Sequence, residues 1–131
     1  MQSPELELFN YLYKFSSDKG YSTYDYLPME DENAEYPFVI IGNSQTVNDS
    51  TKFSLNGSID QTIEFWNDAK DRANVSEMID SFLKEALKIR RTNHYNLALE
   101  INRTEQRLVI DTSVENQILL HGILDLHFKI L

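Results

Sequence analysis

From Ile118 to Ile130 the chain alternates with a period of two. Ile118, Leu120, Gly122, Leu124, Leu126, Phe128 and Ile130 fall on one side, and His121, Asp125, His127 and Lys129 on the other. That period is the signature of a strand with one apolar and one polar face. A strand this long and one-sided requires a sheet, and the sheet's apolar face requires a cover.

Two helical stripes can supply it. Ser3-Pro4 opens the first, since serine suits the cap and proline the first helical position. Glu5 and Glu7 stand in the first turn, where the helix dipole favours anions. Leu8, Phe9, Leu12 and Phe15 recur at helical spacing, and Gly20 ends the element. The second stripe is the strongest helix signal in the chain: Val75, Met78, Ile79, Phe82, Leu83, Ala86 and Leu87 keep a 3–4 spacing. Asn74 and Glu77 form an asparagine variant of a capping box before it. Lys84, Lys88, Arg90 and Arg91 close it, where cations complement the dipole.

The remaining segments read as strands. Tyr21–Tyr26 is short. Phe38–Ile41 is apolar on both faces, which suits a central strand. Ile59, Ile63 and Phe65 share one face of a further strand; Asp60, Thr62, Glu64 and Trp66 share the other. Asn56-Gly57, flanked by Phe53, Leu55 and Ile59, predicts a tight hairpin turn. Residues 28–36 and 43–52 are polar and predict long loops, with Phe53 and Leu55 anchoring the end of the second. Leu97, Leu99 and Ile101 alternate, Arg103–Gln106 turns the chain, and Leu108–Ile110 follows. The expected fold is α+β and two-layer: a mainly antiparallel sheet with two helices on one face, in the order α-β-β-β-α-β-β-β. The 131 residues fit one domain.

Composition narrows function. There is no cysteine, so disulfides, thiolate metal sites and cysteine nucleophiles are excluded. The start has neither a basic stretch nor an apolar run, and no apolar run is long enough to span a membrane, so the expectation is a protein kept in the cytosol. The net charge is −9, and it sits unevenly. Residues 1–71 hold 13 acids and 4 bases; residues 72–131 hold 8 of each. Such a surface opposes tight binding of nucleic acid. The four glycines are scattered, so no phosphate loop exists. His121 and Asp125 lie about 13 Å apart along a strand, too far to share an ion, whereas His127 can pair with Asp125. No catalytic, metal or cofactor-binding residue is assigned, and the chain reads as an assembly protein rather than an enzyme.

Several segments taken together carry a resemblance: Tyr24-Asp25-Tyr26-Leu27-Pro28, Tyr36-Pro37-Phe38-Val39-Ile40-Ile41-Gly42, Ser50-Thr51-Lys52, Gln61-Thr62-Ile63-Glu64-Phe65-Trp66, and His121-Gly122-Ile123-Leu124-Asp125-Leu126-His127-Phe128. With a leading helix and a capped central helix, this order resembles the small tail-completion and tail-terminator proteins of long-tailed bacteriophages and prophages. The resemblance spans nearly the whole chain and rests on order and pattern. It implies a hexameric ring in the virion that caps the tail tube, stops its growth and presents a face to the head. The implied partners are other copies of the chain, the major tail-tube protein and a head-completion or connector protein, with no membrane and no cofactor. DNA would pass through such a ring without tight binding. The expected interface pairs the acidic segment Glu30, Asp31, Glu32 and Glu35 with Arg90 and Arg91 of a neighbour, alongside apolar Phe53, Leu55 and Trp66. Competing readings are a head-completion or minor capsid protein on the connector side, a small ligand-binding α+β protein, and a host-directed inhibitor whose acidic half mimics DNA.

Overall fold

The computed structural model describes residues 2–29, 34–51 and 54–131; side chains from 49 to 56 lie outside the description. The order is α1 (Pro4–Asp18), β1 (Ser22–Tyr24), β2 (Phe38–Thr51), β3 (Ser54–Asp68), α2 (Arg72–Lys88), β4 (Leu97–Leu99), β5 (Glu105–Asp111) and β6 (Leu119–Ile130). The sheet runs β1-β2-β3-β6-β4, with β5 also pairing β6. The α+β order and the two-layer plan are those expected from the sequence. β1 departs from the antiparallel rule and pairs parallel to β2. The connection from 25 to 37 is long enough for the crossover that parallel pairing needs.

The alternation along β3 and β6 builds the core. Ile59, Ile63 and Phe65 on β3 and Leu120, Leu124, Leu126 and Phe128 on β6 are fully buried, together with Leu8 and Leu12 of α1 and Val75, Phe82 and Ala86 of α2. Phe82 is the hub: Phe15 of α1 and Phe65 of β3 meet it edge-on at 5.1 and 5.4 Å, and Tyr21 stacks on it at 6.2 Å. Gly122 is the point where α2 comes closest to the sheet. A Cβ there would sit 3.0 Å from both Ile79 Cδ1 and Val75 Cγ1. The sequence stripe on α2 is wider than the face that meets the sheet. Leu83 is only partly buried and Leu87 is 44% exposed, because Ala86 and Ile89 take the contact at that end.

Gln61 interrupts the apolar face of β3, and it is buried. The register of β2 against β3 shifts between Ile41 and Ser44. That bulge leaves two carbonyls without ladder partners, and Gln61 Nε2 donates to both, Gly42 O at 3.1 Å and Asn43 O at 3.2 Å. A buried amide here satisfies backbone acceptors that an aliphatic residue would leave unpaired.

Three local expectations are overturned. Residues 43–51 are not a loop but the second half of β2. β1 pairs β2 only from Phe38 to Ile40, so beyond that point β2 is the sheet edge, where polar residues are ordinary. Asn56-Gly57 is not a turn: β2 and β3 pair out to Thr51 with Ser54, and Gly57 lies between Asn48 and Ile130. Its glycine is required by a close approach instead, since a Cβ would stand 2.2 Å from the Val47 carbonyl oxygen. The capping box is also displaced. A tight helical turn, Ala69–Asp71, runs directly into α2, with Asp68 accepting from the Lys70 amide at 2.9 Å. Asn74 is therefore inside the helix, and its Oδ1 accepts from Asn67 Nδ2 at 2.8 Å. Pro4 and Gly20 act as expected; Gly20 takes the left-handed conformation at φ 85° after α1.

The two readings of Gly57 predict different mutational behaviour. Gly57→Ala is expected to destabilise the protein by about 1–3 kcal/mol, the usual range for an overpacked site. Gly42→Ala is the control, because its added carbon meets nothing nearer than 3.6 Å. Denaturant midpoints measured for both should separate them, and equal midpoints would contradict the close approach at Gly57.

Candidate assembly surface

The expected interface residues fall at two ends of the molecule. Glu30, Asp31 and Glu32 lie outside the described residues, as do the side chains of Phe53 and Leu55. Glu35 is exposed. Trp66 lies on the sheet face opposite the helices, near the end where Asp68 pairs with Leu119. Arg90 and Arg91 are exposed just past the C-terminus of α2, beside the end where Leu97 and Gly57 both pair with Ile130. Trp66 and the two arginines are not brought together within one subunit. Arg90 Nη1 donates to the Leu87 carbonyl at 3.3 Å, and Arg91 bridges Asn96 through its backbone.

Around Trp66 an aromatic row crosses the strands. Tyr24 meets Phe38 edge-on at 5.7 Å, Tyr36 stacks on Phe38 at 5.3 Å, and Phe38 stacks on Trp66 at 6.5 Å. His121 lies flat on the indole, with ring centres 3.9 Å apart and planes 14° from parallel. The row borders an open groove of about 410 Å³, lined by Leu27, Met29, Tyr36, Phe38, Trp66 and Val114 among others. Trp66 Nε1 is buried and has no hydrogen-bond partner among the described residues. Sequence patterning placed Trp66 and His121 each on the polar face of its own strand; it did not reveal the row, because Tyr24 and Tyr36 reach it through β1 and the approach to β2.

Farther along the same face, histidines and carboxylates pair across strands rather than along one. His121 Nε2 is 2.7 Å from Glu64, and His127 Nδ1 is 2.5 Å from Asp60. Asp125 instead accepts from Thr62 Oγ1 at 2.6 Å. The expected His127–Asp125 pair is thus corrected. Directly opposed residues on neighbouring antiparallel strands are nearer than alternate residues of one strand, and β3 presents Asp60 opposite His127. Among the described residues no group of three or more metal-ligating side chains converges.

A second feature escaped the sequence reading. Glu7 is buried and grips the connection between α2 and β4: Oε1 accepts from the His94 amide at 2.9 Å, and Oε2 lies 2.6 Å from His94 Nδ1. Burial alone pushes the Glu7 carboxyl up, but the side-chain and backbone hydrogen bonds from His94 together hold it below its ordinary value. The signal was faint: Glu7 precedes Leu8 on the helix stripe, where a carboxylate needs a partner. Tyr11, one turn on, donates to Glu85 Oε2 at 2.5 Å, and that bond, with burial, pushes its phenol up to about 12. Both contacts fasten α1 to the α2 side of the molecule.

No protein-family model matches the chain, and no curated protein matches it either. Among solved structures, the fold is similar to that of a chain in the virion of a native gene transfer agent particle. The TM-score is 0.63 and the identity 17%, over 88% of this chain and 82% of that chain. At that identity the likeness is one of fold.

The Glu7 clamp gives a pH prediction. A carboxyl held below its unfolded value adds stability above that value, about 4.3 for glutamate, and loses it as pH falls through the lower folded value. Glu7→Gln is therefore expected to lower the unfolding midpoint at neutral pH, with the gap to the parent closing as the solution is acidified. Urea titrations across acid pH check this; a gap that does not change with pH would remove the carboxylate from the clamp.

Proposed function

We propose that this protein is a structural component of a phage virion, which caps the tail tube as a closed ring, ends tail growth and offers the face that joins the head. The observation that carries the reading is the fold shared with a chain of a gene transfer agent virion, over most of both chains. The tail position is supported by the segment order that resembles tail-terminator proteins. A hexameric ring and the tail-tube and connector partners come with that resemblance.

The molecule's physics suits the role. A ring closed by rotation needs a head-to-tail interface, in which one patch meets a different patch on the next copy. The acidic N-terminal half and the cationic end of α2 form such a pair of unlike patches. A net charge of −9 keeps phosphate backbones from sticking to a channel they must cross. Rim charges of this kind orient association more than they hold it, so apolar contacts must supply affinity.

Deleting the gene from its phage or prophage and imaging the products by electron microscopy tests the role. Tails of uncontrolled length, or tails unjoined to heads, are expected; normal joined particles would end the proposal, and normal free tails beside defective heads would move the protein to the connector side. Arg90→Glu combined with Arg91→Glu is expected to impair capping while leaving the protein folded, at a cost of about 1–2 kcal/mol for reversing charge at the negative end of the α2 dipole.

A further inference from the structure

The aromatic groove has a marked electrostatic setting. The described stretches that form and flank it, 25–29, 34–40, 64–68 and 111–121, contain six acids: Asp25, Glu35, Glu64, Asp68, Asp111 and Glu115. They contain no lysine or arginine. The groove walls are apolar and exposed: Leu27 is 58%, Met29 67% and Tyr36 39% accessible. Asp111 lies near enough to Tyr36 for its charge, after burial, to push the phenol's pKa up. An occupant suited to this site carries an apolar side chain ringed by cations.

One surface of the same chain has that chemistry. Leu87 is 44% exposed near the end of α2. Lys84, Lys88, Arg90 and Arg91 surround it in sequence, and Lys84 stands one turn before it on the same helix face. Lys84 pairs with Asp80, whereas Lys88, Arg90 and Arg91 form no ion pair among the described residues. Glu85, the only acid between 84 and 96, is engaged by Tyr11.

The two surfaces cannot meet within one subunit. α2 begins beside the groove, where the Ala69 amide donates to the Ile118 carbonyl, and runs back along the sheet. From Arg72 to Leu87 the helix rises about 22 Å. Complementary patches at opposite ends of one molecule define a head-to-tail contact. We infer that Leu87, with Lys84, Lys88, Arg90 and Arg91 around it, docks into the acidic-rimmed Trp66 groove of a second copy of this chain. The inference rests on the ring reading above and names the contact that would close the ring. The aromatic wall supplies the apolar burial, and the exposed Tyr36 ring is one to which cations are drawn.

The absence of cysteine makes the test direct. Leu87→Cys and Gln117→Cys are placed in one full-length chain; both positions are exposed, and Gln117 lines the groove. Mild oxidation, at concentrations up to the solubility limit and in assembled particles, is expected to give a disulfide ladder ending in a closed species. Lys14→Cys with Gln117→Cys, a pair lacking the complementary patch, is the control and is expected to stay without a ladder. Circular dichroism and thermal melting confirm that each variant is folded. No ladder in either setting, an equal ladder in the control, or capture of a benzophenone-labelled Gln117→Cys variant by a different virion protein in place of its own chain would each overturn the contact. The deletion experiment separates the two proposals. A ladder with normal tails in the deletion phage keeps the interface and removes the tail role; a deletion defect without a ladder does the reverse.

Discussion

The ladder between β3 and β6 holds the molecule to its plan. It pairs Gly57–Asp68 against Leu119–Ile130 without a register shift. Because side chains alternate, slipping β6 by one residue against β3 would turn Leu124, Leu126 and Phe128 to the open face and bring Asp125 and His127 under the helices. The seating of α2 depends on the same register, because it places Gly122 beneath Val75 and Ile79. The irregularity that the sheet does contain, between Ile41 and Ser44, is kept out of this ladder and is satisfied by Gln61 from within it.

The strongest periodicities in the sequence were the most faithful guides. The period of two along β6 and the 3–4 spacing on α2 both report burial of one face, and burial of those faces is what the fold consists of. Where the reading failed, local chemistry was ambiguous. Asn56-Gly57 carries the residues of a tight turn, yet its glycine answers to the Val47 carbonyl of the adjacent strand, which only tertiary pairing supplies. Residues 43–51 are polar because they lie on an edge, and an edge strand and a loop share that composition. Leu87 fits the helical spacing, but the helix outlasts the sheet face beneath it.

Candidate surfaces were less legible than the fold. Charge asymmetry and Trp66 were visible in the sequence; the groove was not, since it gathers residues from the connection before β2, the end of β3 and the approach to β6. The His–carboxylate pairs were invisible for a related reason. Each joins β3 to β6 across more than fifty residues of chain, and only the register states which histidine faces which acid. Glu7 was read as an anion at a helix start, and its burial under the His94 turn depended on where the α2–β4 connection passes.

The outer side of β6 is shared between two short strands. β4 covers its end near Ile130 and β5 covers its start near Leu119, with a helical turn at Ile101–Arg103 between them. On the far side of the sheet, β1 is only three residues long. The exposed backbone that could template another strand is short and broken beside β6 and flanked along β5 by Glu105, Arg107 and Asp111, while the open edge of β2 beyond Ile40 is polar and interrupted by the bulge between Ile41 and Ser44. Such edges discourage the endless strand addition that leads to fibres. Folded copies with such edges can stand at high concentration without joining strand to strand.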